Sequence, residues 1–116
     1  MSDEPNREQI IDSLLVTLQR GQNLALRLKF EGKTVQYAEL KQKNQKLMRE
    51  IDEIIEQAMT DWIGNIANLN SEVKTANKRL QAAITSIKAD KKKGENIVKA
   101  IGLIDDILEI AKAIVP

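Results

Sequence analysis

The chain has 116 residues, 42% of them hydrophobic and 30% charged, a balance that predicts one folded domain over residues 1–116 with no compositional sign of disorder. Lysine and arginine number 18 against 17 acidic residues, so the net charge of +1 provides no field that would attract nucleic acid. The sequence contains no cysteine and no histidine, which excludes disulfides, thiolate nucleophiles and the commonest general base and metal ligands.

Residue preferences predict an all-α protein whose first helix covers residues 5–31. Aromatic residues make up only 3% of the chain, strong helix formers are plentiful, and the two prolines lie at positions 5 and 116. Apolar residues follow the helical period from Ile10 to Leu28, and Gly32 is suited to a left-handed stop. The first helix is therefore expected to be amphipathic and to end just before Gly32.

The middle of the chain, residues 34–90, carries two apolar seams with the alternating three- and four-residue spacing of a coiled coil. Thr34 is expected to cap the helix of the first seam. The second seam consists of Ile66, Leu69, Val73, Ala76, Leu80, Ala83 and Ile87. The two seams are out of register by one residue near the sequence TDWIGN, where Asp61 is a candidate cap for a new helix.

This slip leaves two architectures open. Two helices joined near residues 60–65 would give four helices in all, and they predict an antiparallel four-helix bundle. One continuous helix would be a rod of roughly 85 Å and would give a three-helix chain with one long central helix, dimerising. We prefer the four-helix bundle because Gly64 and the register slip both favour a break.

The last predicted helix, residues 95–115, is apolar around most of its circumference. It follows Lys91 to Lys93 and Gly94, which are expected to close the preceding helix. Its polar residues form one narrow stripe, so the helix needs at least two neighbours to cover the rest of its surface. The interior of a bundle, a homo-oligomer and a lipid surface are the three environments that would satisfy it.

These patterns predict a non-enzymatic module for protein–protein interaction or self-assembly, with a second copy or another helical protein as its partner. The predicted interface combines the apolar face of residues 95–115 with the seam of residues 66–87. Its residues are Ile97, Ile101, Ile104, Leu108, Ile110, Ile114, Leu69, Val73 and Leu80. The competing prediction is a membrane-active protein that inserts its C-terminal amphipathic helix into lipid, although Asp105, Asp106 and Glu109 on that helix disfavour anionic membranes.

The sequence shows no pattern of catalytic, cofactor-binding or metal-binding residues. The carboxylates around Glu50 lack the histidines that di-iron helical bundles use, and they are spaced to pair with Lys46 and Arg49 on the helix surface. Glycine-rich phosphate loops and nucleophile motifs are also missing. We therefore expect no enzymatic activity, no cofactor and no metal, and the polar N-terminal sequence MSDEPNREQ predicts a cytoplasmic location by default.

The sequence Trp62, Ile63, Gly64 resembles the Trp-x-Gly turn of a family of small secreted helical-hairpin proteins. The resemblance covers these three residues only. The chain is longer, offers a further hairpin and lacks the family's Tyr-x-x-x-Asp or Tyr-x-x-x-Glu export signal. The resemblance implies a tight turn at Trp62 and Gly64, and it makes a secreted helical effector a further alternative function.

Three further residues bear on helix packing. Gly21 and Gly102 lie inside predicted helices, where glycine costs ~1 kcal/mol relative to alanine, and both are expected to permit close helix contacts. Asn44 lies in the first seam, where a buried asparagine would fix the register of a coiled coil. Its polar neighbours are equally consistent with exposure to solvent.

Overall fold

The computed structural model describes residues 4–58, 61–62 and 65–115, with side chains described from residue 7 onward. Within these ranges the chain forms four helices, α1 (Glu4–Phe30), α2 (Thr34–Glu56), α3 (Ile66–Lys88) and α4 (Lys93–Lys112). The longest dimension of the molecule is 47 Å, far short of the rod that one continuous helix would form. The prediction of a four-helix bundle is therefore confirmed, and the alternative with one long central helix is wrong.

The helices occupy the corners of the bundle in the order α1, α2, α4, α3. Helix α1 packs against α2 and α3, and α4 packs against the same two helices. Although α2 and α3 are consecutive in the chain, no Cα atom of one described helix comes within 8 Å of the other. The chain therefore passes from one corner of the bundle to the opposite corner between Glu56 and Ile66.

Hydrogen bonds between α1 and α3 show that these neighbours run in the same direction. Gln9 pairs with Asn70 and Thr17 pairs with Asn77, so the residue numbers rise together along both helices. Helix α1 is joined to α2, and α3 to α4, by a short turn between adjacent antiparallel helices. It follows that α2 and α4 are parallel too, and that each helix has one parallel and one antiparallel neighbour.

A buried polar layer determines the register of α1 on α3. The Thr17 hydroxyl donates to Asn77 Oδ1 over 2.7 Å, and Asn77 Nδ2 donates to the carbonyl oxygen of Ser13 over 3.0 Å. Arg20 Nη1 donates to the carbonyl oxygen of Asn77 over 3.1 Å. Sliding the helices by one turn would leave such groups without partners in the core, at a cost of ~1–3 kcal/mol for each group.

The core consists of two apolar clusters along the bundle, and α4 contributes to both. One cluster joins Ile107 of α4 to Ile10, Leu47 and Val73 from the other three helices. The fully buried residues of the C-terminal segment are Ile97, Ala100, Ile104, Ile107, Ala111 and Ile114. Helix α4 is therefore enclosed by the other three helices of its own chain. These neighbours bury the wide apolar surface that the sequence predicted for it.

Of three predicted helix-end features, one agrees with the structure and two differ from it. Gly32 has the predicted left-handed conformation, with φ of 74°. Helix α2 begins at Thr34, but no side chain caps it. Helix α3 is capped by Asn65, whose side chain accepts a hydrogen bond from the backbone N–H of Asn68, so Asp61 is not the cap.

The turn between α3 and α4 forms without the predicted glycine. The left-handed residues are Asp90 and Lys92, with φ of 57° and 43°. Gly94 lies inside the first turn of α4, so the prediction that it closes the preceding helix is wrong. The Lys93 ammonium lies 3.3 Å from Asp90 Oδ1, a side-chain contact across the turn that glycine could not make.

An ion pair between Lys93 and Glu31 connects the start of α4 to the end of α1. Arg27 Nε also lies 3.1 Å from Glu31 Oε2. The hydrogen bond from Lys93 lowers the pKa of Glu31 below its ordinary value and raises the pKa of Lys93. Lys93, one of the three lysines that precede Gly94, therefore has a structural partner within the chain.

Candidate interaction surface

A shallow groove with a volume of about 300 Å³ lies between α1 and α2 on the outer side of the bundle. Its walls are Gln22, Ala25, Leu26, Lys29, Tyr37, Lys41, Asn44, Gln45 and Met48. Leu26 is 52% exposed and Met48 is 43% exposed. The groove therefore presents large apolar side chains to solvent, although both of its helices belong to a bundle with a complete core.

Exposed apolar side chains are concentrated on this side of the molecule. Leu15 lies three turns before Leu26 on α1, and Ile55 lies two turns after Met48 on α2, so each pair shares one side of its helix. Phe30 follows one turn after Leu26 and is 81% exposed. Among the described residues, eight large hydrophobic side chains are exposed and these are five of them. We call the surface formed by these five residues the α1/α2 face.

The charges beside the α1/α2 face are separated by sign along its length. Because α1 and α2 are antiparallel, the first half of α1 lies beside the last half of α2. Asp12 and Asp52 lie at this end, whereas Lys29 and Lys41 line the groove at the other. The ammonium groups of these lysines lie 5.6 and 5.9 Å from the centre of the Tyr37 ring, within cation–π range. The face thus has an acidic end and a basic end, and its exposed apolar side chains are distributed along its whole length.

Asn44 of α2 forms the floor of the groove and lies in close contact with Gly21 of α1. Asn44 is only 6% exposed, so the buried alternative is the one that the structure shows. A Cβ atom on Gly21 would overlap Asn44 Oδ1 and would lie 3.1 Å from Asn44 Cγ, which confirms the close contact predicted at this glycine. Asn44 Oδ1 is buried and has no hydrogen-bond partner among the described residues.

The other helical glycine behaves differently. Gly102 is exposed, and a Cβ atom built on it would meet no described atom within 4 Å. The prediction that Gly102 permits a close helix contact is therefore wrong. Its position between buried residues of an apolar helix suggested packing, but the residue lies on the narrow polar stripe that faces solvent.

These two glycines provide a matched test of the groove floor. Gly102→Ala is expected to raise the free energy of unfolding by ~1 kcal/mol, because alanine is the better helix former and nothing obstructs its methyl group. Gly21→Ala is expected to lower it by ~1 kcal/mol, since the Asn44 amide has to move, and to raise it once Asn44 is also replaced by alanine. Urea unfolding of the double-mutant cycle measures this coupling. A gain from Gly21→Ala equal to that of Gly102→Ala, with Asn44 in place, would contradict the contact.

The structure places the sequence-predicted interface mainly inside the chain's own core. Ile97, Ile101, Ile104, Leu108, Ile114, Val73 and Leu80 are buried. Leu69 and Ile110 are half-buried against the core cluster that contains Ile107. Docking of a partner on the buried residues would require the bundle to open, and whether they contact another chain stays a prediction. Insertion of α4 into lipid would require the same opening.

Trp62 lies at the end of the bundle, half-buried against the core cluster that contains Ile107. Its indole N–H donates to the carbonyl oxygen of Gln57 over 2.8 Å, and the Arg7 guanidinium lies 4.6 Å from the ring centre. Gly64, the other predicted turn residue, lies outside the described residues. Helices α2 and α3 on either side of Trp62 lie at opposite corners, so they do not pair as the hairpin that the Trp-x-Gly resemblance implies.

The described part of the chain lacks two further features, a metal-binding cluster and a membrane-spanning helix. Acidic side chains there nowhere form a group of three or more that could hold a metal ion. None of the four described helices is long and apolar enough to cross a membrane. No protein-family model, curated protein or solved structure matches this chain.

The α1/α2 face was not predicted from the sequence. Leu15 had the spacing of a residue that widens the apolar side of α1, and Met48 and Ile55 lie next to buried seam positions on α2. The available signal was the distribution of charge, because acidic residues precede Leu15 on α1 and a lysine follows Leu26. That signal becomes interpretable only when α2 is known to lie antiparallel beside α1.

Proposed function

We propose that the protein is a non-enzymatic helical module that acts by protein–protein contact through the α1/α2 face. The observation that supports this proposal is the concentration of exposed apolar side chains on that face. The core residues of the bundle are already buried within the chain, so these side chains are not needed to cover the core. Leu26 and Met48 share one groove, and an exposed apolar patch of this kind typically marks an interaction site on a folded protein. The cytoplasmic location expected from the sequence is part of the same proposal.

Photo-crosslinking in cells that produce the protein tests this function. A benzophenone amino acid at Leu26 places the reactive group on the α1/α2 face, and the same group at Val98 is the control because Val98 is 64% exposed on α4. We expect a protein adduct of one discrete mass from position 26 and none from position 98. The adduct should be lost when Met48→Glu places a charge on the same face.

Equal labelling from both positions, or no adduct from position 26, would overturn the proposal. Circular dichroism of each variant establishes that the bundle is intact, so a missing adduct reports loss of contact and not loss of the fold. Each substituted residue is already exposed, and exposed positions tolerate replacement within about 0.5 kcal/mol.

A further inference from the structure

The outward side of α1 reads nearly the same from either end. Residues at equal distances from the midpoint between residues 20 and 21 form matched pairs along the helix. These pairs are Gln19 with Gln22, Leu15 with Leu26, Asp12 with Lys29, and Ile11 with Phe30. The pairs combine amide with amide, apolar with apolar and acid with base.

All of these side chains lie on the part of α1 that the bundle leaves open. Ile11 is half-buried and the other seven residues are exposed. The pattern is confined to this side of α1. The side that faces α3 instead carries Thr17, which hydrogen-bonds to Asn77 of α3. The charges of α2 follow the same polarity, with Asp52 at the acidic end and Lys41 at the basic end.

We propose that the α1/α2 face binds a second copy of this chain, with the two α1 helices antiparallel about a twofold axis near residues 20 and 21. This inference rests on the proposed contact function and names the partner. A twofold interface uses the same surface patch on both copies, so the patch has to be complementary to itself. A helix side that repeats when it is read backwards, with its charges exchanged in sign, meets that requirement.

Charge determines the direction of the pairing. In the antiparallel arrangement, Asp12 of each copy comes level with Lys29 of the other, and Leu15 comes level with Leu26. A parallel arrangement would instead bring Asp12 of one copy level with Asp12 of the other, and Lys29 of one copy level with Lys29 of the other. Like charges across an interface are destabilising, so the parallel arrangement is disfavoured at both ends.

The available area suits a stable dimer. Helix α1 has 27 residues and is therefore about 40 Å long. Two adjacent helices present a surface roughly 20 Å wide, since helix axes in contact are 8–10 Å apart. The face thus covers on the order of 800 Å² on each copy, which is the usual contribution of one partner to a specific interface.

Disulfide trapping tests the direction of pairing, and the cysteine-free sequence makes the reaction specific. Variants Leu15→Cys and Leu26→Cys are mixed in equal amounts and oxidised. We expect a crosslinked dimer from the mixture and none from Leu15→Cys alone, because two copies of residue 15 would be about 16 Å apart in the antiparallel pair. A disulfide needs Cα atoms within about 7 Å. Crosslinking of Leu15→Cys with itself would overturn the antiparallel arrangement.

Charge exchange provides a second readout that leaves the apolar contacts unchanged. Asp12→Lys and Lys29→Asp are each expected to weaken self-association about tenfold at low ionic strength, because each variant places like charges at both ends of the dimer. An equimolar mixture of the two variants restores opposite charges and should recover the wild-type association. Sedimentation equilibrium measures all three, and failure of the mixture to recover would contradict the proposed pairing.

The two proposals fail in different ways. A wild-type protein that stays monomeric at about 100 µM and forms no disulfide in the mixture would overturn self-pairing. If photo-crosslinking from Leu26 then yields an adduct to a different protein, the contact function stands and the partner is foreign. An adduct of twice the 13.1 kDa chain mass supports the second copy. The absence of any protein adduct from position 26, in a protein that also stays monomeric, would overturn both proposals.

Discussion

Replacement of Ile104 by alanine is expected to lower the free energy of unfolding by about 2–5 kcal/mol. Ile104 is fully buried in the middle of α4, in the cluster that also contains Leu28 of α1, Leu40 of α2 and Leu80 of α3. Removing its distal carbons loses apolar burial and leaves a cavity that three surrounding helices cannot collapse to fill. Urea unfolding followed by circular dichroism measures the change.

Val98→Ala is the matched control on the same helix. Val98 is 64% exposed, so its truncation removes little buried surface, and we expect a change within about 0.5 kcal/mol. Equal effects of the two substitutions would show that α4 is not enclosed by the other helices. Such a result would remove the basis for treating the α1/α2 face as the open surface of the molecule.

Replacement of Asn77 by aspartate is expected to destabilise the bundle by roughly 3 kcal/mol at pH 7. Asn77 is 7% exposed, and its amide donates to the carbonyl oxygen of Ser13. A carboxylate at this position would lose that donor and would place a negative charge against a carbonyl oxygen in the core. Arg20 contacts the backbone of Asn77, which offsets only part of the cost.

The pH dependence of this variant distinguishes a buried charge from a simple loss of packing. Burial raises the pKa of the new carboxyl group in the folded state above its unfolded value of about 4. The loss of stability therefore develops as the pH rises from about 4 through the raised folded pKa, and it disappears at lower pH, where the protonated acid donates again. A loss that does not change between pH 4 and pH 7 would contradict the hydrogen bond to Ser13.

Asn68→Asp serves as the control for Asn77→Asp. Asn68 is exposed in the first turn of the same helix, where a negative charge interacts favourably with the helix dipole. We expect this substitution to leave the stability at pH 7 unchanged or slightly increased. A destabilisation as large as that of Asn77→Asp would mean that the added charge, and not its burial, causes the effect.

Much of the fold followed from periodicity and from the turn residues. The register slip near Trp62 predicted the break between α2 and α3, and Gly32 marked the end of α1. The diagonal step from α2 to α3 was not predictable in this way. A period of 3.6 residues shows which side of a helix is apolar, but it does not show which neighbour covers that side. The polar layer of Thr17 and Asn77, which determines that α1 and α3 are parallel neighbours, depends on atoms 60 residues apart.

The candidate surface was harder to predict for a related reason. The wide apolar arc of residues 95–115 correctly indicated a helix that needs several neighbours. Burial alone does not show whether those neighbours come from the same chain or from another, so Ile97 and Leu108 read equally well as core or as interface. Once α4 is enclosed by its own chain, exposed apolar surface remains mainly along α1 and α2.

Amide hydrogen exchange of α4 in dilute, lipid-free solution tests the central claim that the C-terminal helix is enclosed by its own chain. At concentrations where sedimentation shows a monomer, the amides from Ile101 to Leu108 should exchange only through global unfolding, with protection equal to the stability measured in urea. Rapid exchange of these amides in the monomer, with protection gained only on self-association or on addition of vesicles, would contradict the enclosed bundle and the contact surface inferred from it.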